Sequence, residues 1–209
     1  MQLASAYSNS VITVKSNGKT LTAVNGIYTV KYITENQSIT ISSVQINMYT
    51  IKLPSGTGFS PLPESGSKSP VSYGGSYQFK VQLASSYSNS KIAVKVNGKI
   101  VTAVNGIYTI KSITTNQTIT VTGVQINKYA VTAVKGTGYS ILPQKGSISP
   151  VSYGGYYQFK VQLASSYSKS KFTVKVNGKI VTAVNGIYTI KNITANQTIT
   201  VTGVQINKK

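Results

Sequence analysis

Val96-Asn97-Gly98-Lys99-Ile100-Val101-Thr102-Ala103-Val104-Asn105-Gly106-Ile107-Tyr108-Thr109-Ile110 is the stretch whose reading decides the fold. It returns over residues 176–190 and, slightly altered, over 16–30. Each copy holds two Asn-Gly pairs set between β-branched and aromatic residues. Asn and Gly accept the positive φ angles of a two-residue type I′ turn, so each pair signals a hairpin. The expectation is a meander of three consecutive antiparallel strands, folded back twice.

The copies belong to a longer repeat. Gln2-Leu3-Ala4-Ser5 returns at Gln82 and again at Gln162, a fixed period of 80 residues. Residues 82–127 and 162–207 are nearly identical, which points to recent duplication and says nothing about functional constraint. Asn47-Met48-Tyr49 and Asn127-Lys128-Tyr129 separate strand-like runs by a short polar step and read as linkers. That cut makes 49–128 and 129–209 complete modules and leaves 1–48 an incomplete one without its N-terminal strands.

Within the last module, residues 129–134 read as a short strand. Residues 135–150 read as loop, because Gly136, Gly138, Pro143, Gly146 and Pro150 interrupt any long element. Tyr157-Gln158-Phe159-Lys160-Val161-Gln162-Leu163 alternates without a fault, apolar to one face and polar to the other, as a half-buried strand does. Residues 165–170 form a polar loop or a single helical turn. Two further alternating strands are expected, one placing Phe172, Val174 and Val176 inward and one over 198–202. No window carries apolar residues at helical spacing. The fold class is all-β: tandem Ig-like β-sandwich modules, or a related open barrel, of about 80 residues each.

Composition restricts the chemistry. The chain has 209 residues, 21 of them basic and 2 acidic, and all the basic ones are lysine. The net charge of +19 is spread thinly. A single globule of this length exposes on the order of 9,000 Å², and the resulting spacing of roughly 20 Å exceeds the ~8 Å Debye length at physiological salt. Such a field favours loose association with polyanions. Without Arg there is no bidentate fork for phosphate or guanine, so no specific nucleic-acid partner is expected.

His, Cys, Asp, Arg and Trp are all absent, which removes Ser-His-Asp, Cys-His and His-ligated metal sites. The two carboxylates, Glu35 and Glu64, fall in different modules and cannot serve as a paired acid and base. No catalytic residue, cofactor or metal is expected; the chain reads as non-enzymatic. Gly154-Gly155 lacks the strand-loop-helix setting of a phosphate loop and reads as a tight turn or bulge.

Val151-Ser152-Tyr153-Gly154-Gly155-Tyr156-Tyr157-Gln158-Phe159-Lys160-Val161, then Val174-Lys175-Val176-Asn177-Gly178, then the run from Tyr188 to Val201, resemble the divergent internalin-B-type repeat of bacterial extracellular proteins. Asn177 stands where Asp is common in that repeat, Gln197 where His is common, and Ser166 replaces a Gly. The resemblance implies β-rich tandem units that act as stalks, spacers or adhesive segments of surface and secreted proteins. It carries no shared catalytic or ligand residue.

Two groups of residues remain as candidates for binding. Lys80, Lys91, Lys95, Lys160, Lys171 and Lys175 point outward by alternation; they either protect sheet edges or contact an anionic polymer such as cell wall or acidic polysaccharide. Tyr73, Tyr139, Tyr153 and Tyr156 lie in or near loops and are candidates for stacking on sugars. The N-terminal residues carry no basic region followed by an apolar run, and no segment is long enough to span a membrane. The chain is expected to be an extracellular or cell-surface fragment without its own signal peptide. The leading function is a stalk, spacer or adhesive array, with polymer binding and self-assembly by strand addition at the incomplete module as alternatives.

Overall fold

The computed structural model describes residues 1–208. It is all-β, with short 3-10 turns at Ser5–Tyr7, Ser85–Tyr87 and Ser165–Tyr167 as its only helical elements among those residues. The chain divides into two compact units, one of residues 1–82 and 92–123, the other of residues 83–91 and 124–209.

The second unit is built around Gly155–Leu163, the alternating strand. Tyr157 and Phe159 are buried, whereas Lys160 and Gln162 are exposed. This strand is the centre of a three-stranded sheet, flanked by Tyr139–Pro143 and Tyr188–Ile193. A four-stranded sheet runs in the order Val131–Ala133, Gln197–Thr202, Thr173–Val176, Lys179–Val181. Tyr157, Phe159, Ile190 and Ile193 from the first sheet and Val131, Val174, Val176 and Ile199 from the second form one core. Phe159 is fully enclosed and Tyr188 stacks on it at 5.2 Å between ring centroids. Enclosing such a side chain contributes about 1.5–3 kcal/mol. The first unit repeats the plan 80 residues earlier, with Tyr77, Phe79, Val94, Val96, Ile110, Ile113 and Ile119 in its core.

The first Asn-Gly pair of each copy makes the expected hairpin. Asn97 and Gly98 take φ of 46° and 81°, and Val96 pairs with Lys99 across the turn. The turn side chain does more than bend the chain. Asn177 accepts from the Thr198 amide at 2.8 Å and donates to the Asn196 carbonyl at 3.2 Å, fastening the hairpin to its neighbouring strand.

The second pair corrects the meander. Val104 and Ile107 exchange backbone bonds of 2.9 and 3.0 Å around Asn105-Gly106, but the ladder ends there. The following strand, Tyr108–Ile110, crosses to the other sheet and pairs with Tyr77–Leu83. Burial decides this: in that sheet Ile110 is enclosed and Tyr108 stacks on Phe79 at 5.3 Å, neither of which a third meander strand would achieve. Residues 135–150 are corrected as well. Tyr139–Pro143 is a strand paired with Gly155–Leu163, and Pro143 is tolerated because the strand is at the sheet edge and closes there.

The four-stranded sheet is mixed. Val131–Ala133 pairs in parallel with Gln197–Thr202, and Ile51 and Lys52 pair in parallel with Gln117 and Thr118. Asn196 and Asn116 start these parallel ladders by accepting the amides of Ala130 and Thr50, each at 2.9 Å. Residues 1–48 contribute a three-stranded sheet of Lys19–Leu21, Thr13–Ser16 and Ile39–Ser42, which pairs with no further strand among the described residues.

Candidate binding surface

Two corrections concern the polar steps that read as linkers. Asn127 is buried. Its amide nitrogen donates to the Ser85 carbonyl at 2.9 Å and the Ser88 hydroxyl at 3.0 Å, and its side-chain oxygen accepts the Asn89 amide at 3.0 Å. Its backbone N–H donates to the Ser86 carbonyl at 2.7 Å, and its own carbonyl accepts from Tyr153 at 2.8 Å. Asn47 is buried and makes the same set with Ser5, Ala6, Ser8, Asn9 and Tyr73. Asn207 repeats the turn bonds and is half-buried. A polar residue between two strands resembles a linker in sequence; here the Asn side chain offers donors and an acceptor that match the 3-10 turn, so the step is a fastened joint.

The candidate lysines do not form one patch. Lys80 and Lys160 are exposed on the strands at the centre of the three-stranded sheets. Lys95 and Lys175 lie on the outer face of the four-stranded sheets, half-covered between Ile100 and Thr120 or Ile180 and Thr200. Because the two sheets share one core, these ammonium groups point to opposite sides. Lys80 pairs with Glu64 at 2.9 Å, the only salt bridge among the described residues. Gln144 takes the place of Glu64 in the last repeat, so Lys160 has no such partner.

Lys91 and Lys171 precede their strands and are exposed. Lys171 is joined by Lys169 and Lys208 around a shallow groove of about 430 Å³ that also includes Gln205 and Asn207. Gly203 is required at its edge: its φ is +85°, and a Cβ there would meet the Lys171 carbonyl at 2.7 Å. With 14170 Å² of exposed surface, the mean density falls to one excess charge per roughly 750 Å², so any polyanion contact depends on such local gatherings.

Three of the four candidate tyrosines have other work. Tyr73 and Tyr153 pack at a tilt on Tyr49 and Tyr129, with centroids 6.4 and 6.3 Å apart. Tyr139 donates its hydroxyl to the Val134 carbonyl at 3.2 Å and lies against Gly136, where a Cβ would collide with its ring. Tyr156 is different: it is 62% exposed and lines a cleft of about 440 Å³ with Gly154, Gln158, Thr189, Lys191 and Asn192. Sequence reasoning missed these neighbours. The available signal was the difference between repeats, since Ser76 and Ser112 stand where Tyr156 and Asn192 do.

No protein-family model, curated protein or solved structure matches this chain. Among the described residues, no group of His, Cys, Asp or Glu is placed to hold a metal ion, and no helix is long and apolar enough to cross a membrane.

Three covered tyrosines link the stability of the fold to alkaline pH. Burial raises the hydroxyls of Tyr77, Tyr157 and Tyr188 above their ordinary value of 10.0. Below that pH both folded and unfolded chains keep these protons. Above it the unfolded chain releases protons that the folded chain retains, so stability falls as pH rises. Thermal melts at increasing pH are expected to be level to about pH 9.5 and to fall beyond it. Tyr157→Phe should make the alkaline fall shallower; a variant that keeps the full fall would remove Tyr157 from this account.

Proposed function

We propose that the chain is a non-catalytic segment of a bacterial surface or secreted protein, a stalk or spacer of tandem β-modules that bears load between other parts. The observation that supports this reading is the parallel pairing of the first and last sheet strands of a repeat, Val131–Ala133 with Gln197–Thr202. Force applied to the two ends of such a repeat pulls neighbouring strands in opposite directions along their length. All the hydrogen bonds of that ladder are then loaded together, instead of opening one by one. The bonded joints at Asn47 and Asn127 favour the same reading, because they leave the polar step between repeats little freedom. So does the absence of His, Cys and Asp and the resemblance of the repeat to extracellular bacterial modules.

Force spectroscopy on the full chain tests this. Two unfolding events are expected, each releasing roughly 250 Å of contour at ~3.3–3.6 Å per residue. Val134→Pro removes the 2.9 Å bond from the Val134 amide to the Ile199 carbonyl and should lower the force of one event while sparing the other. Unfolding without a force peak would end the load-bearing reading.

A second reading rests on residues 1–48. Ile33, Ile39 and Ile41 are 63%, 51% and 46% exposed, whereas Ile113 and Ile119, at the positions of the first two in the next repeat, are 1% and 2% exposed. Strands from the first half of a repeat are what these side chains would accept, and a second copy of this chain is the donor to test. Sedimentation should then show association that grows with concentration and is lost in Ile39→Lys. A monomer at every concentration would contradict it.

A further inference from the structure

We propose that the cleft at Tyr156 is a saccharide-binding site of the last repeat, with an acidic sugar, one carrying a uronate carboxylate, as its ligand. Every other tyrosine of the second unit is at least largely covered, so Tyr156 alone offers an open ring face there. The sheet is built to present it. Gly155 pairs with Ile193 and Tyr157 with Ile190, so two residues, Lys191 and Asn192, stand opposite the single residue Tyr156. A bulge of this kind bends the strand and re-aims the side chains at it. Asn192 takes φ of +50°, a conformation Asn accepts more readily than most residues, and its side-chain oxygen lies beside Gly154.

The walls of the cleft supply what a sugar needs besides a stacking face. Gln158 and Asn192 carry amides and Thr189 carries a hydroxyl, and Gln158 is held in place by its 3.1 Å bond to Thr189. Lys191 brings an ammonium group into the same cleft. Lys160 lies two residues beyond Gln158 on the same strand face. No side-chain carboxylate occurs in residues 129–209 to neutralise either of them. An aromatic face, three hydrogen-bonding groups and an uncompensated cation match a pyranose ring with an acidic substituent better than they match a neutral one.

The chain contains its own control. The second repeat makes the same bulge, with Gly74 donating to the Ile113 carbonyl at 2.8 Å and Ile113 to the Gly75 carbonyl at 3.0 Å, yet it carries Ser76 and Ser112 there. The backbone thus accommodates Ser in place of Tyr156 without losing its pairing.

Oligogalacturonate, a neutral cello-oligosaccharide of equal length and inorganic phosphate are to be titrated into the full chain, followed by amide chemical shifts. Saturable shifts with oligogalacturonate at Tyr156, Gln158, Thr189, Lys191 and Asn192 are expected, and none at Ser76 or Ser112. Tyr156→Ser should weaken binding by about tenfold or more while leaving the melting temperature unchanged. The double variant Ser76→Tyr, Ser112→Asn should create a second site of similar affinity. Equal binding of the neutral oligosaccharide or of phosphate would overturn the ligand class. Shifts spread over the lysines generally, an unaltered affinity in Tyr156→Ser, or no saturation with any of the three would overturn the site.

Discussion

The buried amide of Asn127 is the constraint on which the joining of turn and strands in the second unit depends. Three hydrogen bonds of its side chain and one from its backbone N–H tie it to the Ser85–Asn89 turn, a fourth side-chain bond reaches the Tyr129 hydroxyl at 3.4 Å, and its carbonyl accepts from Tyr153. A buried polar group left unpaired costs about 1–3 kcal/mol, so the turn cannot move without the asparagine moving with it. Tyr153 completes the arrangement by donating to the Asn127 carbonyl and packing on Tyr129. The same set recurs around Asn47. Within each unit these polar steps are filled by hydrogen bonds and aromatic contacts, where a flexible connection would use glycine and serine.

The remainder of the fold follows from two-sided burial with few charges. Each complete repeat encloses one phenylalanine, Phe79 or Phe159, between sheets that show Thr, Gln and Lys to water. With two acidic residues in the chain, ion pairing contributes little, and the pair Lys80–Glu64 is exposed enough to be worth less than about 1 kcal/mol. Stability comes from apolar contact and from side-chain amides that bond the backbone.

Much of this was legible in the sequence and some was not. The 7-residue alternation from Tyr157 to Leu163 and the φ requirement of Asn97-Gly98 are local properties, and both are present in the structure. The strand after Asn105-Gly106 was misread because a turn fixes only its own two residues. Which sheet receives Tyr108–Ile110 depends on burying Ile110 beside Tyr77, a contact between residues far apart in the chain. Tyr139–Pro143 was hidden by Pro143, since edge and central positions look alike in one dimension. Of the candidate site residues, Tyr156 was visible as a loop aromatic. Its neighbours Thr189 and Lys191 were not, because only the pairing of two strands brings them to it.

Hydrogen exchange at the joint tests the central claim most directly. The amides of Asn127, Tyr153 and Asn89 donate to Ser86, to the Asn127 carbonyl and to the Asn127 side chain. Protection of all three close to that of the Val174 amide, which lies in a buried strand paired on both sides, is the predicted result. Exchange at the rate of an open loop would mean that the step at Asn127 is a flexible connection, and the account of a fastened step would be wrong.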